Sequence, residues 1–338
     1  MVRELLPKVA LATVESHGRR KAHDALLCDM DLPLREVFYP LGYPVEIITN
    51  DSAVLLAARE SFGHMHATRP NWPLQVRVGV THGAGRDCPP EPTRREYNHL
   101  YSLVADVDNQ ALLDLKTCAS FIWLSRSAVE NGIYLRYNFL EKAVYLLLGS
   151  SVVTDLHAAC VGRNGKGVLL CGESGAGKST LAYACARAGW TYTSDDTSYL
   201  INDSDVPRVI GHSHRARFRP SAKTLFPELE ERELTPRLEG KPSIEVPTSE
   251  LPISAMAPET RVGSIVYLNR YPSAAGKLIR LPNGAATQRA SEELYSAGEI
   301  RAKHERILEI LYDVPTYELH YCDLDQGIRA LGLLTQST

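Results

Sequence analysis

The chain has 338 residues, of which 44% are hydrophobic, and its formal net charge is −3. This length can bury one large core or two ordinary ones, and the near balance of charge excludes a general electrostatic attraction to nucleic acid or to acidic membranes. None of the seven cysteines lies in a C-x-x-C pair, which argues against a disulfide framework and indicates a reduced, cytoplasmic protein.

The first part of the chain, residues 1–150, has the pattern of a separate α+β domain. Its start contains charges and a proline, which is unlike a signal peptide, and suits a short helix or a loosely held arm. Pro44–Thr49 predicts a strand. Asn50–Ser52 can cap the following helix, which is predicted to run to Phe62 and to end at Gly63. No apolar stretch in the sequence approaches the roughly 18–20 residues of a membrane span.

The rest of this domain is predicted to be mainly strands. Alternating apolar residues from Leu74 to Val80 indicate a strand with one apolar face. Further strands are predicted in residues 101–107, 121–124 and 133–137. Residues 139–148 fit a strand or a helix, and His82–Gly85 has the composition of a loop. No catalytic signature is recognised in this domain, which could recruit a substrate or form an oligomerisation surface.

The second part, residues 151–338, contains the elements of an α/β domain. Gly167–Cys171 is a short apolar run typical of a buried strand. Ser179–Arg187 is rich in helix-forming residues, and Gly189 is placed to end that helix. A strand at Trp190–Ser194 follows. The remaining predicted elements are a strand at 264–268, a helix at 299–311, a strand at 316–321 and a helix at 323–334.

Residues 203–258 differ from the rest of the second domain. They contain eight prolines and an acidic run at Glu228–Glu233, so little regular structure is predicted there. Long irregular stretches inside a compact domain are usually functional loops or disordered segments. This segment is therefore a candidate for a loop that meets a substrate.

The motif with the clearest chemical meaning is Gly172-Glu173-Ser174-Gly175-Ala176-Gly177-Lys178-Ser179, between a predicted strand and a predicted helix. This G-x-x-x-x-G-K-S pattern is a P-loop. Its glycines let main-chain N–H groups surround phosphate oxygens, and the helix N-terminus that includes Thr180 adds a positive dipole end. Lys178 would reach the β- and γ-phosphates of ATP, and Ser179 would complete the shell of Mg²⁺.

Asp195 and Asp196 form the second candidate element. Both carboxylates follow the predicted strand Trp190–Ser194, and residues at such a strand end should emerge beside the phosphates. Phosphoryl transfer needs a ligand for Mg²⁺ and a group that takes the proton of the incoming hydroxyl. The pair therefore predicts that one carboxylate binds the metal while the other acts as the base.

Together with Leu156-His157-Ala158, these motifs resemble the kinase domain of HPr kinase/phosphorylase and its kinase-like relatives. The histidine, the P-loop and the aspartate pair follow the order of that family, with Lys178 21 residues after His157 and Asp195 17 residues after Lys178. The resemblance is strong over residues 151–200 and weaker from there to 338. It does not extend to residues 1–150, which lack the usual N-terminal domain of the bifunctional enzyme.

The resemblance implies a P-loop kinase fold of the HPr kinase and phosphoenolpyruvate carboxykinase type, with ATP and Mg²⁺ as cofactors. It implies Asp195 as the proton acceptor and Asp196 and Ser179 as the Mg²⁺ ligands. It also implies that His157 lies near the aspartates and tunes them. The phosphorylase signature of the family, E-I-R-G-L-G, is not visible, and Gly211–Pro220 occupies the comparable region. A kinase without the reverse reaction is therefore expected.

Arginines near this region form a further candidate site. Arg215, Arg217 and Arg219 alternate, so on an extended segment all three would face one side. They could bind an acidic substrate or steady the transferred phosphate, or they could protect an exposed edge strand with charge. Arg270 follows the strand predicted at 264–268 and could supply a charge at the phosphate or lie in a surface loop.

Three functions fit these motifs. The favoured one is an ATP-dependent kinase that transfers the γ-phosphate to a hydroxyl, and the favoured acceptor is a serine of a peptide or protein. A small-molecule kinase acting on an amino acid, and an ATPase switch whose N-terminal domain binds a partner, stay open as alternatives. ATP is the expected nucleotide by resemblance, since no N-K-x-D motif is present. No nucleic-acid or membrane partner is expected, and the chain could form a homo-oligomer.

Overall fold

The structure is a computed structural model that describes residues 30–81, 88–235, 242–294 and 296–336. The chain divides into two compact units, Met1–Tyr145 and Leu146–Thr338. Each unit has its own sheet and its own buried apolar residues. In the described parts of the chain, no helix is both long and apolar enough to cross a membrane.

The first unit is built on a single sheet. Its elements are β1 Leu34–Phe38, a 3₁₀ turn Pro40–Gly42, β2 Val45–Thr49, α1 Ser52–Phe62, β3 Leu74–Thr81, β4 Thr93–Tyr97, β5 Leu100–Val104, β6 Gln110–Asp114, β7 Ala119–Ser125, α2 Arg126–Glu130, α3 Gly132–Leu135, a π-helical turn Arg136–Leu140 and the start of α4 Glu141–Ser151, a helix that continues into the second unit. The strand order is β1-β2-β3-β7-β6-β5-β4, in which β2, β3 and β7 run parallel and the other pairs are antiparallel.

Local sequence explains the parallel part of this sheet. Asp51 caps α1, because its side chain accepts a hydrogen bond from the N–H of Ala53 at 2.9 Å. The helix ends before Gly63, as predicted. Buried residues recur along β2 and β3 and include Ile47 and Val76. The strands and helix predicted from Pro44 to Val80 are thus confirmed, since alternating apolar residues and a helix cap are strong local signals.

The prediction of a strand over residues 101–107 is wrong at its end. β5 stops at Val104, because the chain turns there and the N–H of Ala105 donates to the carbonyl of Asn109 at 3.0 Å. The predictions for the start of the chain and for His82–Gly85 lie outside the described residues.

The prediction of a strand over residues 133–137 is wrong. This segment is helical, and the side chain of Asn131 caps α3 by accepting a hydrogen bond from the N–H of Tyr134 at 3.0 Å. The β-branched and aromatic residues that suggested a strand pack in a helix here, because tertiary packing overrides weak local preference. Residues 139–148, which fitted either element, are helical.

The second unit contains more and shorter elements. They are β8 Val153–Leu156, β9 Ala158–Arg163, β10 Lys166–Cys171, α5 Lys178–Arg187, β11 Thr191–Ser194, β12 Ser198–Ile201, β13 Arg208–Gly211, β14 Arg215–Phe218, 3₁₀ turns Pro220–Thr224 and Pro227–Leu229, β15 Ile244–Pro247, a 3₁₀ turn Thr248–Glu250, β16 Ala255–Met256, β17 Glu259–Arg270, β18 Lys277–Arg280, α6 Ala285–Glu292, α7 Gly298–Leu308, a 3₁₀ turn Glu309–Leu311, β19 Thr316–Tyr321 and α8 Leu324–Leu334. The elements predicted outside 203–258 are confirmed, with β17 longer than predicted.

The main sheet of the second unit is mixed and covered on both faces. Its order is β16-β11-β9-β10-β17-β13-β12-β8, and β19 pairs with β17 and β18. On one face, Leu170 shares a core with Leu181 of α5 and Leu331 of α8. On the other face, Leu169 shares a core with Leu308 of α7. A sheet between layers of helices is an α/β architecture.

The prediction of little regular structure in residues 203–258 is wrong in part. The short strands β13 to β16 lie there, and β14 and β15 form a separate two-stranded antiparallel sheet. Prolines sit at the ends of these elements, where the missing N–H removes no ladder hydrogen bond. Pro220 and Pro227 each open a 3₁₀ turn, and Pro247 ends β15. These prolines therefore mark the ends of short elements and do not prevent regular structure.

Candidate active site

The sequence motifs meet at one edge of the main sheet in the second unit. β9 is antiparallel to both β10 and β11, so the carboxyl ends of β10 and β11 flank the amino end of β9. The P-loop follows β10 at Cys171, the carboxylate pair follows β11 at Ser194, and His157 directly precedes β9. β17 is parallel to β10 and ends at Arg270, at the same edge. Strand pairing thus gathers residues that are far apart in the sequence.

The P-loop turns at its glycines. Gly172, Gly175 and Gly177 have φ angles of 143°, 96° and 98°, a region that favours glycine. A Cβ on Gly177 would also lie 3.2 Å from the hydroxyl oxygen of Tyr321. α5 begins at Lys178, directly after the loop, so its first N–H groups are free of partners within the helix. This backbone arrangement is suited to bind an anion.

Lys178 is held over the loop by its own backbone. Its Nζ donates to the carbonyl oxygens of Gly172 at 2.6 Å and Glu173 at 3.3 Å. The same Nζ lies 2.9 Å from Nε2 of His157. Burial lowers the pKa of the Lys178 ammonium, and the carboxylate of Asp196 opposes that shift. These contacts fix the direction of the side chain, which lines the cavity described below.

Ser179 joins the start of α5 to the end of β11. Its hydroxyl donates to the main-chain carbonyl of Asp195 at 2.9 Å. The register of β11 against β9 shifts between Tyr192 and Ser194, and a bulge of this kind re-aims the residues that follow it. The two carboxylates therefore emerge beside the first turn of α5.

The two carboxylates have different surroundings. Asp195 is 9% exposed, and its Oδ2 accepts a hydrogen bond from the main-chain N–H of Arg217 at 2.5 Å. Burial raises the pKa of Asp195 to about 7, against the opposing effect of Arg217. Asp196 is half exposed, and its Oδ1 lies 3.7 Å from Nδ1 of His157. Asp195 is therefore suited to exchange a proton near neutral pH, whereas the more exposed Asp196 is accessible for binding a ligand.

Two of the three arginines share an acidic partner on the neighbouring strand. Glu245 on β15 is buried, and its carboxylate lies 3.1 Å from Nη1 of Arg215 and 3.1 Å from Nε of Arg217. Arg217 and Arg219 line the cavity beside the P-loop, whereas Arg215 is not among its lining residues. The expectation of a common side therefore holds for Arg215 and Arg217, which both pair with Glu245, but Arg215 does not line the cavity.

These groups surround a cavity of about 590 Å³. Four cationic side chains and one carboxylate line it, an excess of positive charge that suits phosphate. Arg270 is one of the cations, and its Nε donates to the carbonyl of Cys322 at 3.1 Å. The lining residues are His157, Ser174, Gly175, Gly177, Lys178, Ser179, Thr180, Asp196, Arg217, Phe218, Arg219, Ser221, Ala222, Thr224, Leu225, Ser243 and Arg270. The predicted residues Gly172, Glu173, Ala176 and Asp195 are not among them.

Ser179 and Asp196 could hold a magnesium ion at this cavity. A hydroxyl and a carboxylate are oxygen ligands of the kind that Mg²⁺ takes beside phosphate oxygens and water. The Ser179 hydroxyl uses its proton in the bond to Asp195, which leaves its lone pairs for a cation. Within the described residues, no group of three or more histidine, cysteine and acidic side chains could hold a metal ion.

Sequence reasoning missed one side of the cavity. Phe218 and Leu225 belong to an apolar wall, Ser243 lies on the same side, and Glu245 pairs with the arginines of β14. These residues were overlooked because their segment was expected to be irregular. The alternation of charged and apolar residues over 215–218 was the available signal, since that pattern is typical of a half-buried strand.

Comparisons with known proteins leave the family of this chain open. No protein-family model matches it, and no curated protein matches it. Among solved structures, it is similar to the HPr(Ser) kinase/phosphatase from Coxiella burnetii, with 12% identity and a TM-score of 0.32 over 54% of this chain and 87% of that chain. The relationship is distant at most, so the function has to be inferred from the site itself.

Proposed function

We propose that this chain is an ATP-dependent kinase of the HPr kinase-like type, which transfers the γ-phosphate to the hydroxyl of a serine in a peptide or protein. The observation that supports it best is the junction of the P-loop with a buried carboxylate. The hydroxyl of Ser179 donates to the carbonyl of Asp195 at 2.9 Å, and burial raises the pKa of Asp195 to about 7. Phosphoryl transfer to a hydroxyl requires a loop that binds the nucleotide and, beside it, a base that takes the proton of that hydroxyl.

The nucleotide would be bound by the loop and the residues around it. The main-chain N–H groups of residues 172–179 and the ammonium of Lys178 bind the triphosphate in this proposal. Ser179 and Asp196 would hold Mg²⁺, which would neutralise negative charge on the β- and γ-phosphates. The guanidinium of Arg270 adds positive charge where negative charge builds up on the transferred group.

In the chemical step, Asp195 takes the proton of the acceptor hydroxyl. The acceptor oxygen forms a bond to the γ-phosphorus, the bond from that phosphorus to the β–γ bridging oxygen breaks, and ADP leaves with the electron pair. A base works best when its pKa lies near the working pH, and the pKa of about 7 for Asp195 meets this condition. His157 lies 2.9 Å from Lys178 and 3.7 Å from Asp196, and so positions both side chains.

The test is incubation of the purified protein with γ-labelled ATP, Mg²⁺ and peptides from a lysate of the source cell. Wild type should label a serine-containing peptide, whereas Asp195→Asn should bind ATP with unchanged affinity and transfer none. Asp196→Asn should also lose transfer, together with the Mg²⁺ dependence of ATP binding. Full transfer by Asp195→Asn would refute its role as the base.

The same experiment separates the alternative functions. Label found on a small hydroxyl compound in the lysate would make the chain a small-molecule kinase. Label found as free phosphate alone would favour an ATPase switch. Lys178→Ala is the inactive control for all of these reactions, because removal of the P-loop ammonium should abolish phosphate transfer to any acceptor.

A further inference from the structure

One wall of the P-loop cavity differs from the phosphate-binding side. It begins at Phe218, the last residue of β14, and includes Arg219 and Leu225, with Ser243 beside them. Leu225 is 43% exposed although it is apolar. This wall therefore offers apolar surface, one cation and hydroxyl groups, since Ser221 and Thr224 line the cavity beside Ser243. Such a mixture is typical of small-ligand sites, in which apolar surface gives contact and a few polar groups fix orientation.

Ser243 supplies the first specific indication of a ligand. The residue is 3% exposed, and its hydroxyl has no hydrogen-bond partner among the described residues. The large majority of buried side-chain polar atoms have a partner, so each exception needs an explanation. Because Ser243 lines the cavity, a group of a bound ligand would satisfy this hydroxyl.

Arg219 supplies the second indication. Arg217 is paired with Glu245 at 3.1 Å, and Arg270 donates to the carbonyl of Cys322 at 3.1 Å. The side chain of Arg219 is exposed, lines the cavity, and makes no ion pair or hydrogen bond within the described part of the chain. It is thus the lining arginine that is free to bind an anionic ligand group.

The position of the wall indicates which substrate it meets. The main-chain N–H of Arg217 donates to Oδ2 of Asp195 at 2.5 Å, so β14 is tied to the carboxylate that takes the proton in the proposed reaction. The wall continues from the end of β14 at Phe218. Arg217 also lines the cavity, so a molecule bound along this wall would lie on the side where β14 meets that carboxylate, which is the place of the acceptor in the proposed reaction.

We propose that this wall is the acceptor subsite, and that it selects an acceptor with a carboxylate close to the accepting hydroxyl. The guanidinium of Arg219 binds the carboxylate, the Ser243 hydroxyl forms a hydrogen bond with the acceptor backbone, and Leu225 covers its carbon atoms. This inference rests on the proposed kinase function. The carboxylate can belong to an acidic residue beside the serine of a peptide or to a free hydroxy amino acid, and the experiment distinguishes these two sources.

The experiment measures binding, so it does not depend on catalysis. The full-length protein with Mg²⁺ and a non-hydrolysable ATP analogue is titrated with a short Ser-Asp peptide, a matched Ser-Asn peptide and free L-serine. Wild type should prefer the Ser-Asp peptide or free serine over the Ser-Asn peptide by about 10- to 100-fold, the usual range for one charge-assisted hydrogen bond. Tighter binding of the peptide or of free serine identifies the source of the carboxylate.

Variants locate the effect. Arg219→Ala should remove the preference for the carboxylate while the Kd of the ATP analogue stays unchanged. Ser243→Ala should weaken the binding of every acceptor that binds to wild type. Arg306→Ala removes an exposed arginine on α7 outside the cavity and should change nothing. Arg219 is exposed, so its removal should leave the fold intact, which a thermal melt verifies.

The remaining outcomes overturn the inference or the function separately. Equal binding of the charged and neutral peptides, no binding of any acceptor, or a preference that survives Arg219→Ala would each overturn the subsite. A tenfold loss of ATP-analogue affinity in Arg219→Ala would assign the wall to the nucleotide and also overturn it. Preference for the carboxylate without transfer of label from ATP would leave the subsite standing and refute the kinase function.

Discussion

Asp195 couples the proposed chemistry to pH. Burial raises its pKa to about 7, while the N–H and the charge of Arg217 lower it. The ionised form is the one that can accept a proton, so the proposed base is active above this pKa and silent below it. In the proposed reaction, a single residue would thus set the lower pH limit.

The rate of phosphate transfer should therefore rise with pH. Below the apparent pKa, kcat/KM is expected to fall about tenfold for each pH unit, and the apparent pKa should be near 7 or lower, since bound Mg²⁺ favours ionised carboxyls. The measurement is the pH profile of kcat/KM from pH 5 to pH 9 at saturating Mg²⁺. A flat profile across this range would exclude Asp195 as the base.

The same burial means that ionisation of Asp195 lowers the free energy of unfolding. An aspartate in the unfolded chain titrates near about 4, so the folded state, with its pKa of about 7, holds the proton more tightly. The free energy of unfolding therefore falls as the pH rises from about 4 to about 7. Such a trade of stability for function is common at active sites.

Asp195→Asn should accordingly stabilise the free protein at pH 8. The expected gain in the free energy of unfolding is on the order of 2 kcal/mol at pH 8 and less than about 1 kcal/mol at pH 4, because at pH 4 the aspartate is neutral in the folded state and about half protonated in the unfolded chain. Urea denaturation at the two pH values measures it. Asp203→Asn, at an exposed position, is the control. A loss of stability at pH 8 would contradict the burial argument.

At the scale of elements, the β14–β15 sheet holds one side of the site. Glu245 stands opposite Arg217 in the register of the two strands, and the main-chain N–H of Arg217 binds Asp195. Glu245 also pairs with Arg215, so one buried carboxylate compensates two cations. The position of the proposed base therefore depends on an ion pair in a neighbouring two-stranded sheet.

Glu245→Gln should loosen this sheet. Removal of one partner from a buried ion pair leaves the other charge uncompensated, but the two arginines are partly exposed, so the expected loss is about 1 to 3 kcal/mol in the free energy of unfolding. Phosphate transfer should fall more than ATP binding does, because β14 contacts Asp195. Glu250→Gln is the matched control: its pair with Arg232 is half exposed, so a change of less than about 1 kcal/mol is expected. Equal losses in both variants would contradict the role of Glu245.

At the scale of the whole molecule, the sequence predicts motifs whose residues are consecutive. It does not predict contacts between residues that lie far apart along the chain. The P-loop could be predicted because its strand, glycines and helix are consecutive, and the aspartate pair because it ends the next strand. Pairing between residues that lie far apart in the sequence leaves no local pattern. This is why the partnership of Glu245 with Arg217 was missed. The helix at 133–137 was missed because its cap, Asn131, is a weak signal beside β-branched and aromatic residues.

The two units also differ in what they contribute to the proposed reaction. All residues that line the P-loop cavity lie between His157 and Arg270, within the second unit. Nucleotide binding and transfer to a short peptide should therefore not require residues 1–140. Recruitment of a larger substrate or self-association, the two roles expected from its sequence, stays a prediction for the first unit.

A fragment of residues 141–338, which keeps α4 complete, tests this division. It should bind ATP with Mg²⁺ within about threefold of the full chain, since the site keeps all its lining residues. Calorimetry measures the affinity, and circular dichroism checks folding. Transfer to a short serine peptide should survive, whereas transfer to an intact protein substrate should fall if the first unit recruits it. A folded fragment that fails to bind nucleotide would show that the site needs the first unit, and the division of roles would be wrong.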